Sequence, residues 1–145
     1  MIRSLASGWL FWALLAAVFA AATAILAKVG VKDTPSDLAT LVRTLVVVAF
    51  AGLIVAVSGQ WRAVGDLTPR TLAFLGLSGL ATGASWLCYF RALKLGEAAR
   101  VAPLDKLSVV LVAIMGVVFL GEQLSWKNWV GVAMIAAGAV LVAIR

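Results

Sequence analysis

The chain alternates long apolar runs with short polar joints. The runs cover about 9–29, 38–58, 71–95, 100–120 and 126–144. A helix needs about 20 apolar residues to cross the hydrocarbon of a bilayer, and each run is close to that length. None has the period-2 alternation of a strand, and a lipid-facing backbone must satisfy its own hydrogen bonds, so the pattern predicts five transmembrane helices. The first run follows Arg3 like a signal-peptide core. It is too long for one, and further spans succeed it, so it reads as a span. Its alanines recur at 13, 17 and 21 and at 16, 20 and 24, a spacing that lets helix backbones approach closely.

The joints carry turn chemistry. Asp33, Pro35 and Ser36 separate the first two runs, and Ser36 or Asp37 is placed to cap the second. Residues 59–69 form the longest polar connection, with Trp61 suited to the membrane–water boundary. The third run has Gly76, Gly79 and Gly83 on a small face. Pro103 is expected in the first turn of the fourth helix, where a missing amide costs little. Gly121-Glu122-Gln123 ends that helix, and Trp126 and Trp129 open the last.

One stretch breaks the pattern. From Ser85 to Ser108, the charges Arg91, Lys94, Glu97, Arg100, Asp105 and Lys106 enter or join two apolar runs. A charge near hydrocarbon costs a few kcal/mol and needs a partner, water or a function. Arg91 and Lys94, three apart, share a helical face. The adjacent Asp105 and Lys106 diverge by about 100° on their helix. Asp105 is therefore expected to pair with a basic group on the third helix while Lys106 points elsewhere. Arg43, inside the second helix, and Lys28, at the end of the first, approach the same membrane face. Two readings of this set stay open: a mouth for an anionic or zwitterionic substrate, or interfacial ion pairs with lysines reaching the headgroups. Trp86, beside Ser85 and Gly83, is the best candidate for a cavity wall. Asp105 is the best-placed carboxylate for proton coupling, and Glu122 follows, although a turn role suits Glu122 better.

Composition narrows the class. Of 145 residues, 64% are hydrophobic and 12% charged, about half the charged share of a soluble domain. Mean hydropathy is +1.11. The net charge of +6 is spread over connections and helix ends, as topology signals and lipid headgroups require, and does not indicate nucleic-acid binding. With N-terminal Arg3 on one face, Arg62, Arg70 and Lys127 join it. Lys28, Lys32, Arg43, Arg91, Lys94, Arg100, Lys106 and Arg145 fall on the other face. Without the deep Arg43, Arg91 and Lys106 the count is five against four, a small bias that favours N-out, C-in and also suits insertion in both orientations. One cysteine, Cys88, and no histidine leave no internal disulfide, no His/Cys metal site and no Ser–His–Asp nucleophile. No cofactor is expected, and no paired catalytic carboxylates mark an enzyme.

Specific blocks then resemble a family. They are Trp12 with the Ala-rich helix ending Lys28-Val29-Gly30, and Ala39-Thr40-Leu41-Val42-Arg43. Next come Gly83-Ala84-Ser85-Trp86 with Tyr89-Phe90-Arg91-Ala92-Leu93. Then follow Val101-Ala102-Pro103-Leu104-Asp105-Lys106-Leu107-Ser108 and Phe119-Leu120-Gly121-Glu122. Across essentially the whole chain these resemble the EamA domain of the drug/metabolite transporter superfamily, in its single-domain, five-helix bacterial and archaeal branch. The resemblance implies an all-α membrane protein with one EamA-type repeat over 1–145, half of a ten-helix transporter. It implies a multi-pass carrier of small metabolites or drugs in the cell (inner) membrane. Because an alternating-access site lies between repeats, a single copy implies a homodimer or a heterodimer with a related chain, arranged antiparallel. It also favours function at Asp105 and Lys106. The resulting site set is Asp105, Lys106, Arg91, Arg43, Trp86 and Lys28. The competing expectations are a flippase subunit for a lipid-linked phosphate and a non-transporting membrane subunit.

Overall fold

A computed structural model describes residues 8–144; Arg3 and Arg145, used above to count charge on the two faces, lie outside the described residues. The apolar runs fold as helices, and the described residues contain no strand. In chain order these are α1 (Trp9–Gly30), α2 (Ser36–Val57), a 3-10 helix (Gln60–Asp66), α3 (Pro69–Leu95), α4 (Ala98–Asp105), α5 (Ser108–Leu120) and α6 (Trp126–Ala143). Five segments are long and apolar enough to cross a membrane, with α4 and α5 together making the fourth. At 1.5 Å per residue the 22-residue α2 is about 33 Å long, close to the hydrocarbon thickness. The 27-residue α3 exceeds that thickness by about 10 Å, which leaves room for Arg70 near one end and Lys94 near the other to lie at headgroup level.

Local chemistry sets the helix ends. α3 starts two residues before its apolar run because Thr68 Oγ1 accepts the Thr71 amide at 3.1 Å, and Pro69 fills the first helical position, where no amide is needed. Ser125 caps α6 the same way, accepting from the Asn128 amide at 3.4 Å. α2 has no such cap. Pro35 precedes it without a side-chain cap, and Ser36 Oγ donates instead to Asp37 Oδ1 at 3.2 Å, so neither expected capping residue caps. α5 ends at Gly121, whose φ of +69° is the left-handed conformation that glycine tolerates best. The Glu122 amide then closes back on the Gly116 carbonyl at 3.1 Å.

The fourth span is not one continuous helix. α4 begins at Ala98, so Pro103 sits in its second turn rather than its first. Without an amide, Pro103 cannot bond the Ala99 carbonyl. The chain then tightens to 3-10 geometry: the Lys106 amide bonds Pro103 O and the Leu107 amide bonds Leu104 O, each at 3.0 Å. α5 starts after this step.

The chain packs as two units. One holds Lys28–Lys94: the end of α1, α2, the 3-10 helix and nearly all of α3. Its buried residues are Val31, Thr40, Phe90 and Leu93, with Val31 and Leu93 fully enclosed. The other joins the residues up to Ala27 with those from Leu95 onward. In it α6 packs against both α4 and α5, and Arg100 Nη2 donates to Ala143 O at 2.6 Å near the end of α6. Most large apolar side chains are exposed, among them Trp9, Phe19, Phe50, Phe74 and Phe119. So much exposed apolar surface belongs in lipid or against another chain, not in water.

Candidate functional site

Within the Lys28–Lys94 unit, α2 and α3 meet antiparallel near the start of one and the end of the other. Asp37 is the second residue of α2, and Arg91 lies four residues before the end of α3. Arg91 Nη2 contacts Asp37 Oδ2 at 3.0 Å and Oδ1 at 3.2 Å, and Nε reaches Oδ1 at 3.3 Å. Both side chains are well exposed, so this pair fixes the approach of the two helices more than it stabilises them.

Further along both helices the contact changes character. The Arg43 guanidinium lies 3.8 Å from the centre of the Trp86 ring and 5.5 Å from that of Phe90. Arg43 is seven residues into α2, about 10 Å along its axis from the first residue. The electron-rich ring faces compensate part of the charge. Phe90 and Thr40, both buried, pack in the same unit, and Thr40 Oγ1 turns back to bond Ser36 O at 2.9 Å.

The lysines of this unit are tied to carbonyls. Lys28 Nζ donates to Leu93 O at 2.6 Å, in the last turn of α3, where a cation suits the helix C-terminus. Lys94 Nζ donates to Thr34 O at 2.8 Å in the turn between α1 and α2. Lys28 is therefore half-buried and internally bonded, not extended towards headgroups.

Asp105 and Lys106 belong to the other unit. Lys106 Nζ contacts Asp105 Oδ2 at 3.2 Å. This corrects the pairing anticipated from sequence. Arg91 and Lys94 of α3 bond Asp37 and Thr34 O, while Asp105 pairs with its own neighbour. The divergence of adjacent side chains holds on a continuous helix, but here the chain leaves α4 between Asp105 and Lys106, and the two heads converge. Asp37 is the residue that sequence reasoning missed. Locally it reads as a cap, and nothing near it in sequence signals its partner, because Arg91 lies 54 positions away. Glu122 lies in the Gly121 turn, and a Cβ on Gly116 would come within 2.5 Å of its Oε2. Among the described residues no cluster of three potential metal ligands occurs.

The sequence pattern of the EamA-like transporter family matches residues 7–144. A protein of Sinorhizobium sp. described as an uncharacterized transporter in the cobO 3′ region is 63% identical over 140 residues, covering 97% of this chain and 99% of that protein. Protein RarD of Salmonella typhi and of Salmonella typhimurium is 27% identical over 94 residues, covering 63% of this chain and 32% of RarD. No solved structure matches significantly. With five spanning segments, the family's sequence pattern over nearly its whole length and a close relative described as a transporter, the chain belongs to the EamA-like transporter family and is a multi-pass membrane protein.

Proposed function

We propose that this chain moves a small metabolite or drug across the cell (inner) membrane by alternating access, with two copies in opposite orientation each supplying one repeat. The observation that carries the proposal is Arg43, a cation inside a candidate spanning helix, 3.8 Å from the centre of the Trp86 ring. Such a charge is costly in lipid and marks a polar path by default. Length supports the pairing. The 94 matched residues are 32% of RarD, so RarD is about twice as long as this 145-residue chain. One copy has half the material of that relative, and a cavity between repeats needs the other half. Arg43 and Trp86 are the proposed substrate contacts. Arg91 holds the end of α3 to the start of α2, Lys28 bonds that end of α3 from α1, and Asp105 and Lys106 are a second polar pair at the α4–α5 step.

The test is uptake and efflux of labelled solutes by proteoliposomes containing the purified chain. A transported solute whose flux drops at least tenfold in Arg43→Gln supports the assignment. Transport undiminished in the double change Asp105→Asn, Lys106→Gln removes that second pair from the site. A purified chain that moves no solute, alone or with a related chain, defeats the carrier proposal.

A further inference from the structure

We infer that Arg43 is a carboxylate receptor and that the transported substrate is an organic monocarboxylate. This deepens the carrier proposal and rests on it for the word transported. The guanidinium carbon lies 3.8 Å from the centre of the Trp86 ring, with Phe90 at 5.5 Å, so the protein engages this cation through aromatic rings. Its hydrogen-bonding capacity lies in the plane of the group, where the N–H donors form a rigid fork. Among the described residues no oxygen accepts from that fork. The contrast within the same unit is direct. Arg91 spends its donors on Asp37, and Lys28 and Lys94 spend theirs on Leu93 O and Thr34 O. Arg70 of the same unit also lies over a ring, Phe74 at 5.9 Å, without a hydrogen bond among the described residues, but it is the second residue of α3, whereas Arg43 lies seven residues inside α2 against two rings.

A fork held beside aromatic rings with its donors unspent matches a carboxylate, which accepts two parallel N–H bonds. A phosphate would accept them too. The surroundings favour the carboxylate: Trp86 and Phe90 are apolar, and a doubly charged, strongly hydrated phosphate loses more on leaving water than a singly charged carboxylate. A cationic solute is disfavoured by a positive charge that the rings compensate only in part.

The purified full-length chain in detergent is titrated calorimetrically with sodium benzoate and with benzamide, its neutral isostere, at constant ionic strength. Benzoate is expected to bind at least tenfold tighter than benzamide. Arg43→Gln is expected to erase that preference. Arg43→Lys keeps the charge but loses the planar fork, and is expected to weaken benzoate binding at least tenfold. Arg43→Lys also decides the matter if Arg43→Gln does not fold, since undiminished benzoate binding there overturns the receptor. Equal binding of benzoate and benzamide to the unaltered chain overturns it as well. Inorganic phosphate displacing benzoate at lower concentration than acetate does overturns the choice of carboxylate. The two proposals fail separately. Benzoate binding by a chain that moves no solute in proteoliposomes refutes the carrier and keeps the receptor. Transport of a cationic solute unaffected by Arg43→Gln refutes the receptor and keeps the carrier.

Discussion

At the residue scale, two glycines of α5 separate backbone need from space. Gly121 has a φ of +69°, where any side chain is strained. Gly116 is helical, and a Cβ there would meet only the end of the Glu122 side chain, which can swing away. Gly121→Ala is expected to cost about 1 kcal/mol or more. Gly116→Ala recovers about 1 kcal/mol of helix propensity against the shift of Glu122, so its net effect is near zero. Thermal unfolding in detergent should rank Gly121→Ala clearly below Gly116→Ala, and the reverse order would contradict the geometry. The Asp37–Arg91 pair gives a second check. Arg91→Asp places two carboxylates together, and Asp37→Arg places two guanidiniums together. Each single change is expected to lower the melting temperature, and the exchange Asp37→Arg with Arg91→Asp to recover most of the loss. Additive loss in the double variant would mean that the two side chains do not pair in the membrane.

Helices as elements were largely legible in the sequence, because apolar length alone dictates a span. Their ends were legible where a side chain caps and obscure where it does not. Thr68 before Pro69 announces the start of α3, two residues earlier than the apolar run suggests. Ser36 before Asp37 carries the same kind of signal, yet the hydroxyl bonds the neighbouring carboxylate and no cap forms. The α4–α5 step was hidden by a similar small displacement. Placing the helix start at Arg100 puts Pro103 in a harmless first turn, whereas the start at Ala98 puts it in the second turn and takes the amide partner from Ala99. Arg43 was singled out by its depth in an apolar run. Its partner ring followed from nothing local, because Trp86 is 43 positions away. Pro103→Ala tests whether the step is functional. It restores an amide whose loss costs about 3 kcal/mol in a helix interior, so stability should hold or rise. Slower solute flux in proteoliposomes at equal or higher melting temperature would show that the irregular step serves transport. Unchanged flux would reduce it to a tolerated kink.

The molecule as a whole poses a problem of parity. Among the described residues five segments are candidates to span, and an odd number of crossings puts the start of the first and the end of the fifth on opposite faces of the membrane. Joining the end of one copy directly to the start of another therefore inverts the second copy, with no further device. Adding one inert spanning helix at the junction restores the same orientation in both. The two fusions contain the same two repeats and differ only in their relative sense, which isolates orientation from affinity and expression. If two opposed copies enclose the path, the direct fusion is expected to retain solute flux per repeat pair close to that of the unfused chain. The fusion with the extra span is expected to lose at least tenfold, unless separate molecules associate, which dilution to one fusion per vesicle prevents. Full activity of the helix-separated fusion under dilution would require a parallel pair. Full activity of one unfused copy per vesicle would require a path through a single set of five helices, and would leave the doubled length of RarD without bearing on this chain.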